Sequence, residues 1–192
     1  MRFEAVYLAR HGQTQWNVEG RRQGRLDSPL TPRGLLQARR NADLLSDQGI
    51  DSLFTSPLGR ARRTAGILGE TLGLPTQALE DLAEVAHGAW SGLTSAEIDA
   101  GWPGQRAARE QDKYAFRFPD GESYADAGVR AGRALVEIAR TGARRPLLVS
   151  HEMIGRMLLQ QLGVADVLRL RQPSDVVYVV RGEVVEVLAS AE

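Results

Sequence analysis

The 192-residue sequence contains no cysteine. A disulfide framework, a thiolate zinc site, an iron–sulfur cluster and a cysteine nucleophile are therefore excluded. The absence is compatible with a reducing compartment.

Long apolar runs are also missing. No segment approaches the roughly 20 consecutive apolar residues that a membrane span requires. The amino-terminal run is interrupted by Glu4 and ended by Arg10, and it is too short for a signal peptide. We therefore expect a soluble, cytoplasmic protein without a membrane partner.

An excess of charge of either sign is absent, because 24 basic residues balance 24 acidic ones. This balance argues against binding of nucleic acid or anionic membranes by bulk charge, so we expect no nucleic-acid partner. Lysine is scarce as well: Lys113 is the one lysine, and the other basic residues are arginines. Any anion binding must come from local clusters of arginine.

The sequence shows no repeat, no low-complexity tract and no linker-like shift in composition. A chain of this length suits a single domain, and we assign residues 1–192 to one. Within it, residues 101–123 are polar, aromatic and punctuated by proline and glycine. This stretch is a candidate lid or substrate-facing insertion.

Strand and helix patterns alternate along the chain. Short β-branched or apolar runs predict strands over 3–9, 50–56 and 145–151, and a hairpin over 176–188. Caps and apolar stripes predict five helices. Their predicted starts are Thr31–Pro32, Ser56–Pro57, a capping box of Thr94 and Glu97, a position near Tyr124, and Glu152. The first, second and fifth of these helices are expected to end near Gly49, at Gly73 and near Gly163.

These elements predict an α/β fold: a three-layer sandwich with a mostly parallel central sheet, helices on both faces and an antiparallel C-terminal edge hairpin. An edge strand can pair with a second chain, which leaves a homodimer open. In such folds ligands bind beyond the carboxyl ends of the strands.

Histidine and arginine recur at three of these strand ends. Arg10 and His11 follow the first strand, Arg60 lies in the first turn after the second, and His151 follows the strand at 145–151. A single histidine at a strand end is more often structural than nucleophilic. The recurrence at three strand ends, in a chain with three histidines, predicts one shared pocket.

The residue types indicate phosphoryl chemistry. Guanidinium groups match phosphate oxygens in bidentate geometry, and helix amino termini add backbone donors for the same anion. A neutral imidazole can attack phosphorus without a separate base. Gly12 would let the backbone approach the anion closely. His87 follows no clear strand, so we interpret it as structural or pocket-lining.

No pair of histidines has the spacing of zinc ligands, and no carboxylate cluster accompanies them. We therefore expect no metal and no cofactor.

Several motifs together resemble a family. The segments "LARHGQTQWN", "RLDSPLTPRG", "TSPLGRARRTA", "LAEVAHGAWSG", "DGES" and "LLVSHEMIGRML" are similar, in the same order, to those of the histidine phosphatase superfamily, also called the phosphoglycerate mutase-like family. The resemblance runs from about residue 5 to about residue 160.

The resemblance implies a role for each matching position. His11 matches the phosphate-accepting histidine, Arg10 and Arg60 the phosphate arginines, His151 the histidine opposite the nucleophile, and Glu84 the acid that protonates the leaving group. Three further positions match residues that commonly line the pocket: Thr14, Asn17 and Gln23.

The implied reaction passes through a phosphohistidine on His11, with Glu84 as general acid and then as general base. His11 must start neutral and Glu84 protonated, which predicts a bell-shaped pH–rate profile.

Within the family, the sequence favours a metal-independent phosphatase that acts on a small phosphorylated metabolite. Mutases typically have longer insertions after the acid, whereas 36 residues separate Glu84 from Gly121 here, and the mutase pattern "ERHYG" is replaced by "AEVAHG". A phosphoglycerate mutase is the alternative, and an inactive phosphoryl-binding relative is a third. Glu152 stands where many members have glycine, which leaves substrate size and charge open.

Overall fold

The computed structural model describes residues 3–189. Six strands are present in this part of the chain: β1 (Val6–Arg10), β2 (Ser52–Thr55), β3 (Thr76–Ala78), β4 (Pro146–Ser150), β5 (Val176–Arg181) and β6 (Val184–Ala189). The helices are α1 (Gln15–Val18), α2 (Pro32–Leu45), α3 (Gly59–Leu72), α4 (Ser95–Gly101), α5 (Gln105–Gln111), α6 (Tyr124–Arg140) and α7 (Glu152–Gln161). Short 3₁₀ helices cover Glu80–Leu82, Gly88–Trp90 and Val167–Arg169.

The strands form one sheet in the order β3-β2-β4-β1-β5-β6. The first four strands of that order run parallel, and β5 and β6 pair antiparallel. The predicted mostly parallel sheet with an antiparallel C-terminal hairpin is therefore confirmed.

Apolar side chains alternate between the two faces of the sheet, as the period of two in a strand requires. Val6 and Leu8 pack on the face covered by α6 and α7, while Tyr7 and Ala9 pack on the face covered by α2 and α3. Each face buries its own hydrophobic cluster, so the molecule has the three predicted layers.

The strand order brings the predicted site segments together. Strand β4 lies between β1 and β2, and Arg10 is paired in register with Ser150. The backbone N–H groups of His11 and Ser56 donate to the carbonyl oxygens of Ser150 and Val149, both at 3.0 Å. The chain therefore leaves three adjacent strands at one edge of the sheet.

One predicted helix start is wrong. Helix α3 begins at Gly59 with Leu58 as its N-cap, not at Ser56–Pro57. The Ser56 hydroxyl accepts from Leu58 N and also lies 2.7 Å from His151 Nε2, so it serves the site rather than the helix.

Other local predictions agree more closely. Thr31 caps α2 ahead of Pro32, although this helix ends at Leu45, before the expected Gly49. Thr94 and Glu97 form the predicted capping box of α4. Strand β3 was not predicted because it has three residues, all exposed, and therefore no apolar pattern.

The outer strand β6 leaves Val184 and Val187 exposed at the sheet edge. The homodimer stays a prediction. Within residues 3–189, none of the helices has the length and apolarity to cross a membrane.

The predicted insertion at 101–123 contains α5 and an aromatic anchor. Phe116 and Phe118 pack against Trp90 with ring centroids 5.6 and 5.3 Å away. This anchor fixes the segment beside the carboxyl edge of the sheet. Its function as a lid stays a prediction.

Candidate active site

The imidazole of His11 is buried and held at both nitrogens. Nδ1 lies 2.8 Å from the carbonyl oxygen of Gly12, and Arg60 Nε donates to Nε2 over 3.3 Å. Because a carbonyl can only accept, the proton lies on Nδ1 and the lone pair on Nε2. Burial first, and then the charges of Arg60 and Arg10, hold the pKa of His11 well below its usual value. The imidazole is therefore neutral, and Nε2 carries a lone pair.

The guanidinium of Arg60 is fixed by the loop that precedes α2. Nη1 donates to Leu26 O at 2.7 Å and to Asp27 Oδ1 at 2.9 Å, and Nη2 donates to Gly24 O at 2.8 Å. These bonds hold a fully buried cation against His11. The sequence of the loop does not by itself predict that its backbone binds Arg60.

Arg10 is the last residue of β1, and its side chain reaches the part of the cavity wall formed by Gln172 and Glu152. Its Nη1 donates to Gln172 O at 3.1 Å and lies 3.0 Å from Glu152 Oε2. Its buried Nε has no partner within residues 3–189. Arg10 therefore keeps a donor that a bound anion can satisfy.

His151 follows β4 and lies beside His11, with ring centroids 5.1 Å apart. Burial first, and then the charges of Arg60 and His11, keep the pKa of His151 well below its usual value. The Ser56 hydroxyl lies 2.7 Å from His151 Nε2 and can donate to it or accept from it. His151 Nδ1 is buried without a partner among the described residues.

Glu84 is buried at the amino terminus of α7. Its Oε1 accepts from Val85 N at 2.9 Å and Ile154 N at 3.0 Å, and its Oε2 accepts from Met153 N at 3.2 Å. We expected helix amino termini to donate to the bound anion. Here the α7 donors bind Glu84 instead, because the carboxyl group of Glu84 already occupies that end of the helix.

The four remaining predicted residues divide into two pairs. Asn17 and Gln23 line the cavity, whereas Gly12 and Thr14 are not among its lining residues. Thr14 is fully buried and caps α1. Gly12 is needed for close backbone contact, because a Cβ there would lie 2.3 Å from Gly34 O. Its N–H also donates within the protein, to a threonine of α3.

These side chains surround a cavity of about 640 Å³. Nine basic residues and three carboxylates line it, so its charge is strongly positive. The basic residues are Arg10, Arg21, Arg22, Arg60, Arg109, Lys113, Arg156, Arg169 and Arg171, and the acidic ones are Glu84, Glu110 and Glu152.

Seven of these basic residues were not predicted as pocket residues, among them Arg22, Arg109 and Arg156. No local motif marks them, since an arginine side chain is usually exposed to solvent. Arg22 and Arg109 instead lie over the rings of Trp90 and Phe118, with their guanidinium carbons 5.7 and 5.5 Å from the ring centroids.

His87 lines the cavity, which agrees with the pocket-lining role, one of the two roles that we predicted for it. Its ring stacks on Phe118 at 4.6 Å, and Nε2 lies 3.0 Å from Met153 Sδ. Burial first, and then the charges of Arg22 and Arg109, lower the pKa of His87 to about 3. It is a neutral wall residue. The part of the chain that the structure describes holds no group of three or more side chains able to bind a metal ion.

The chain is similar to known proteins in sequence and in fold. The model of the histidine phosphatase superfamily (branch 1) matches residues 6–181. Human 6-phosphofructo-2-kinase/fructose-2,6-bisphosphatase 4 is 37% identical over 157 residues, which cover 81% of this chain and 32% of that relative. The chain thus spans about a third of the length of this relative.

Two further similarities cover most of both chains. A probable phosphoglycerate mutase from Serratia proteamaculans (strain 568) is 40% identical over 164 residues, covering 83% of this chain and 75% of the relative. The solved structure of a mycobacterial glucosyl-3-phosphoglycerate phosphatase with VO3 has a TM-score of 0.84 and 32% identity, and the match covers 97% of each chain.

Proposed function

Since the chain belongs to the histidine phosphatase superfamily, we propose that it is a metal-independent phosphatase of small phosphate monoesters that works through a phosphohistidine on His11. The observation that carries the proposal is the fixed tautomer of His11. Its Nδ1 proton points to Gly12 O, and its Nε2 lone pair faces the cationic cavity beside Arg60.

In the first step, His11 Nε2 attacks phosphorus and the ester P–O bond breaks. Arg60 Nε exchanges its contact with Nε2 for a phosphoryl oxygen, while Arg10 and His151 donate to the others. Glu84 gives its proton to the leaving alkoxide. The step ends with a phosphohistidine, an alcohol and a Glu84 carboxylate.

In the second step, water attacks the phosphohistidine. Glu84 accepts one proton from that water, the P–N bond breaks and its electron pair returns to His11 Nε2. Phosphate is released, and Glu84 and His11 regain their starting protonation states. The arginines stabilise the oxygen charge in both steps, so no metal ion is needed to balance it.

The cavity supports a substrate whose organic part is small and polar. Its volume is about 640 Å³, and its lining is mostly charged. We further propose that the protein acts in the cytoplasm, a reducing compartment with which the absence of cysteine is compatible.

A phosphoglycerate mutase is the second candidate, and the 40% identity to the Serratia relative favours it. A mutase transfers the phosphoryl group to a second hydroxyl, whereas a phosphatase transfers it to water. Conversion of 3-phosphoglycerate to 2-phosphoglycerate after priming, without phosphate release, would identify a mutase.

Hydrolysis of p-nitrophenyl phosphate with EDTA present throughout tests the proposal. We expect phosphate release by the natural sequence and a loss of at least about 10³-fold in His11→Ala. His87→Gln changes a second buried histidine of the same cavity and should cost far less. Equal activity in His11→Ala, or activity abolished by EDTA and restored by a metal ion, would overturn the proposed mechanism.

A further inference from the structure

Glu152 is a carboxylate inside a cavity that is otherwise built to bind anions. It is the first residue of α7, directly after His151. Its Oε2 lies 3.0 Å from Arg10 Nη1, and its Oε1 lies 2.6 Å from Arg156 Nη2. The side chain therefore forms a bridge between a proposed phosphate arginine and a second arginine of the same wall.

Both arginines of this bridge also form hydrogen bonds with other parts of the protein, which fix their positions. Arg156 Nε donates to Leu170 O at 2.7 Å, and its Nη1 donates to Tyr124 Oη at 2.6 Å. Arg10 Nη1 donates to Gln172 O at 3.1 Å. Because both partners are fixed, the Glu152 carboxylate keeps its place facing the cavity, where its side chain is 27% exposed.

The opposite wall is arranged differently. Arg22 forms no ion pair within residues 3–189, and Glu110 is the carboxylate that pairs with Arg109 and Lys113. The side chain of Glu110 is 60% exposed, so water and salt screen its charge. The Glu152 carboxylate is therefore the more buried of the two, and it is the one that contacts a proposed phosphate arginine.

We propose that Glu152 is a specificity-determining residue of the phosphatase site. Its fixed negative charge lies against Arg10, so it repels part of the charge of a bound phosphate dianion. It thereby limits the affinity for the phosphate product and disfavours substrates that carry a second anionic group next to the transferred phosphoryl group. The inference rests on the proposed function, because it takes Arg10 as a phosphate ligand.

The decisive experiment is calorimetric titration of inorganic phosphate into the natural sequence, Glu152→Gln and Glu110→Gln. Glutamine keeps one oxygen that can accept from either Arg10 or Arg156, places its NH2 group toward the other arginine, and removes the negative charge. We expect the Kd of phosphate to fall about tenfold in Glu152→Gln, a change of about 1.4 kcal/mol. Glu110→Gln removes a screened charge from the same cavity and should change the Kd less than about twofold.

A pair of substrates measures the specificity itself. Phenyl phosphate and 2-carboxyphenyl phosphate differ by one carboxylate next to the phosphoryl group. We expect Glu152→Gln to raise the ratio of kcat/KM for the carboxylated ester over the plain ester at least about fivefold. Equal melting temperatures of the variants would show that the fold is retained.

An unchanged or weaker affinity for phosphate in Glu152→Gln would overturn the proposal, because Glu152 would then serve only to orient Arg10. An unchanged substrate ratio would overturn its specificity part. The calorimetric result does not depend on turnover, so failure of the proposed hydrolysis and failure of this inference are distinguishable.

Discussion

Arg60 Nε donates to His11 Nε2 over 3.3 Å, so the buried guanidinium contacts the atom that we propose as the nucleophile. Their positions are set by different elements, since His11 follows β1 and Arg60 lies in the first turn of α3. A phosphoryl oxygen that enters between them can take over the Arg60 donor and free the Nε2 lone pair. In the proposed reaction, Arg60 therefore orients the imidazole before transfer and stabilises the charge of a phosphoryl oxygen during transfer.

Arg60→Lys is expected to lower kcat/KM for p-nitrophenyl phosphate by about 10²- to 10³-fold. Lysine keeps the charge but cannot reproduce the planar set of donors that reaches both His11 and the loop at Gly24. Arg62→Lys, on the exposed face of the same helix, is the matched control and should stay near the natural rate. A similar rate for the two variants would contradict a phosphate contact by Arg60.

Glu84→Gln should reduce hydrolysis of an alkyl phosphate far more than hydrolysis of p-nitrophenyl phosphate. An alkoxide needs a proton to depart, whereas p-nitrophenolate is already a good leaving group. We expect a loss of about 10²- to 10³-fold in kcat for glycerol 2-phosphate. Glu80→Gln, at an exposed site nearby, provides the control. Equal losses on both substrates would argue against Glu84 as the acid.

The protein should lose stability as the pH falls below about 6.5. In the folded state the pKa values of His11, His87 and His151 are all depressed, that of His87 to about 3. Below the unfolded pKa the unfolded chain binds more protons, so acid favours unfolding. Each histidine contributes up to about 1.4 kcal/mol per pH unit in the window between its unfolded and folded pKa values.

Denaturant unfolding at pH 7.5, 6.5 and 5.5 measures this loss. His87→Gln should reduce the slope by one proton, because one titrating group is removed. A free energy of unfolding that stays constant from pH 7.5 to 5.5 would contradict the depressed pKa values.

Gly12→Ala should destabilise the fold by several kcal/mol and lower the melting temperature. The new Cβ would lie 2.3 Å from Gly34 O, and both partners are backbone that cannot move aside easily. Gly66→Ala is the matched control, since its Cβ would meet nothing within 4 Å on helix α3. That change should stabilise the protein by about 0.5 to 1 kcal/mol. Calorimetric melting of both variants gives the comparison.

The sequence predicted the strands that position the site because they are buried on both sides. Strand β4 has five buried residues in a row, and such runs are the clearest local signal of a central parallel strand. Local pattern failed where burial was absent, as in β3, and where a residue had a tertiary partner, as in Ser56. A serine before a proline predicts a helix cap. That local pattern carries no information about His151, which is 95 residues away in sequence but lies 2.7 Å from the Ser56 hydroxyl.

Sequence alone therefore determined the α/β architecture and the meeting of Arg10, His11, Arg60 and His151, because parallel strands of one sheet end at one edge. Glu84 followed from family resemblance, since no local pattern separates it from other carboxylates. Only the tertiary structure decided the tautomer of His11, the bridge of Glu152 to Arg10, and the basic wall. The bridge and the basic wall depend on contacts between residues far apart in the chain. The tautomer depends on the backbone conformation at Gly12 and on Arg60, which is 49 residues from His11, and a local sequence pattern specifies neither.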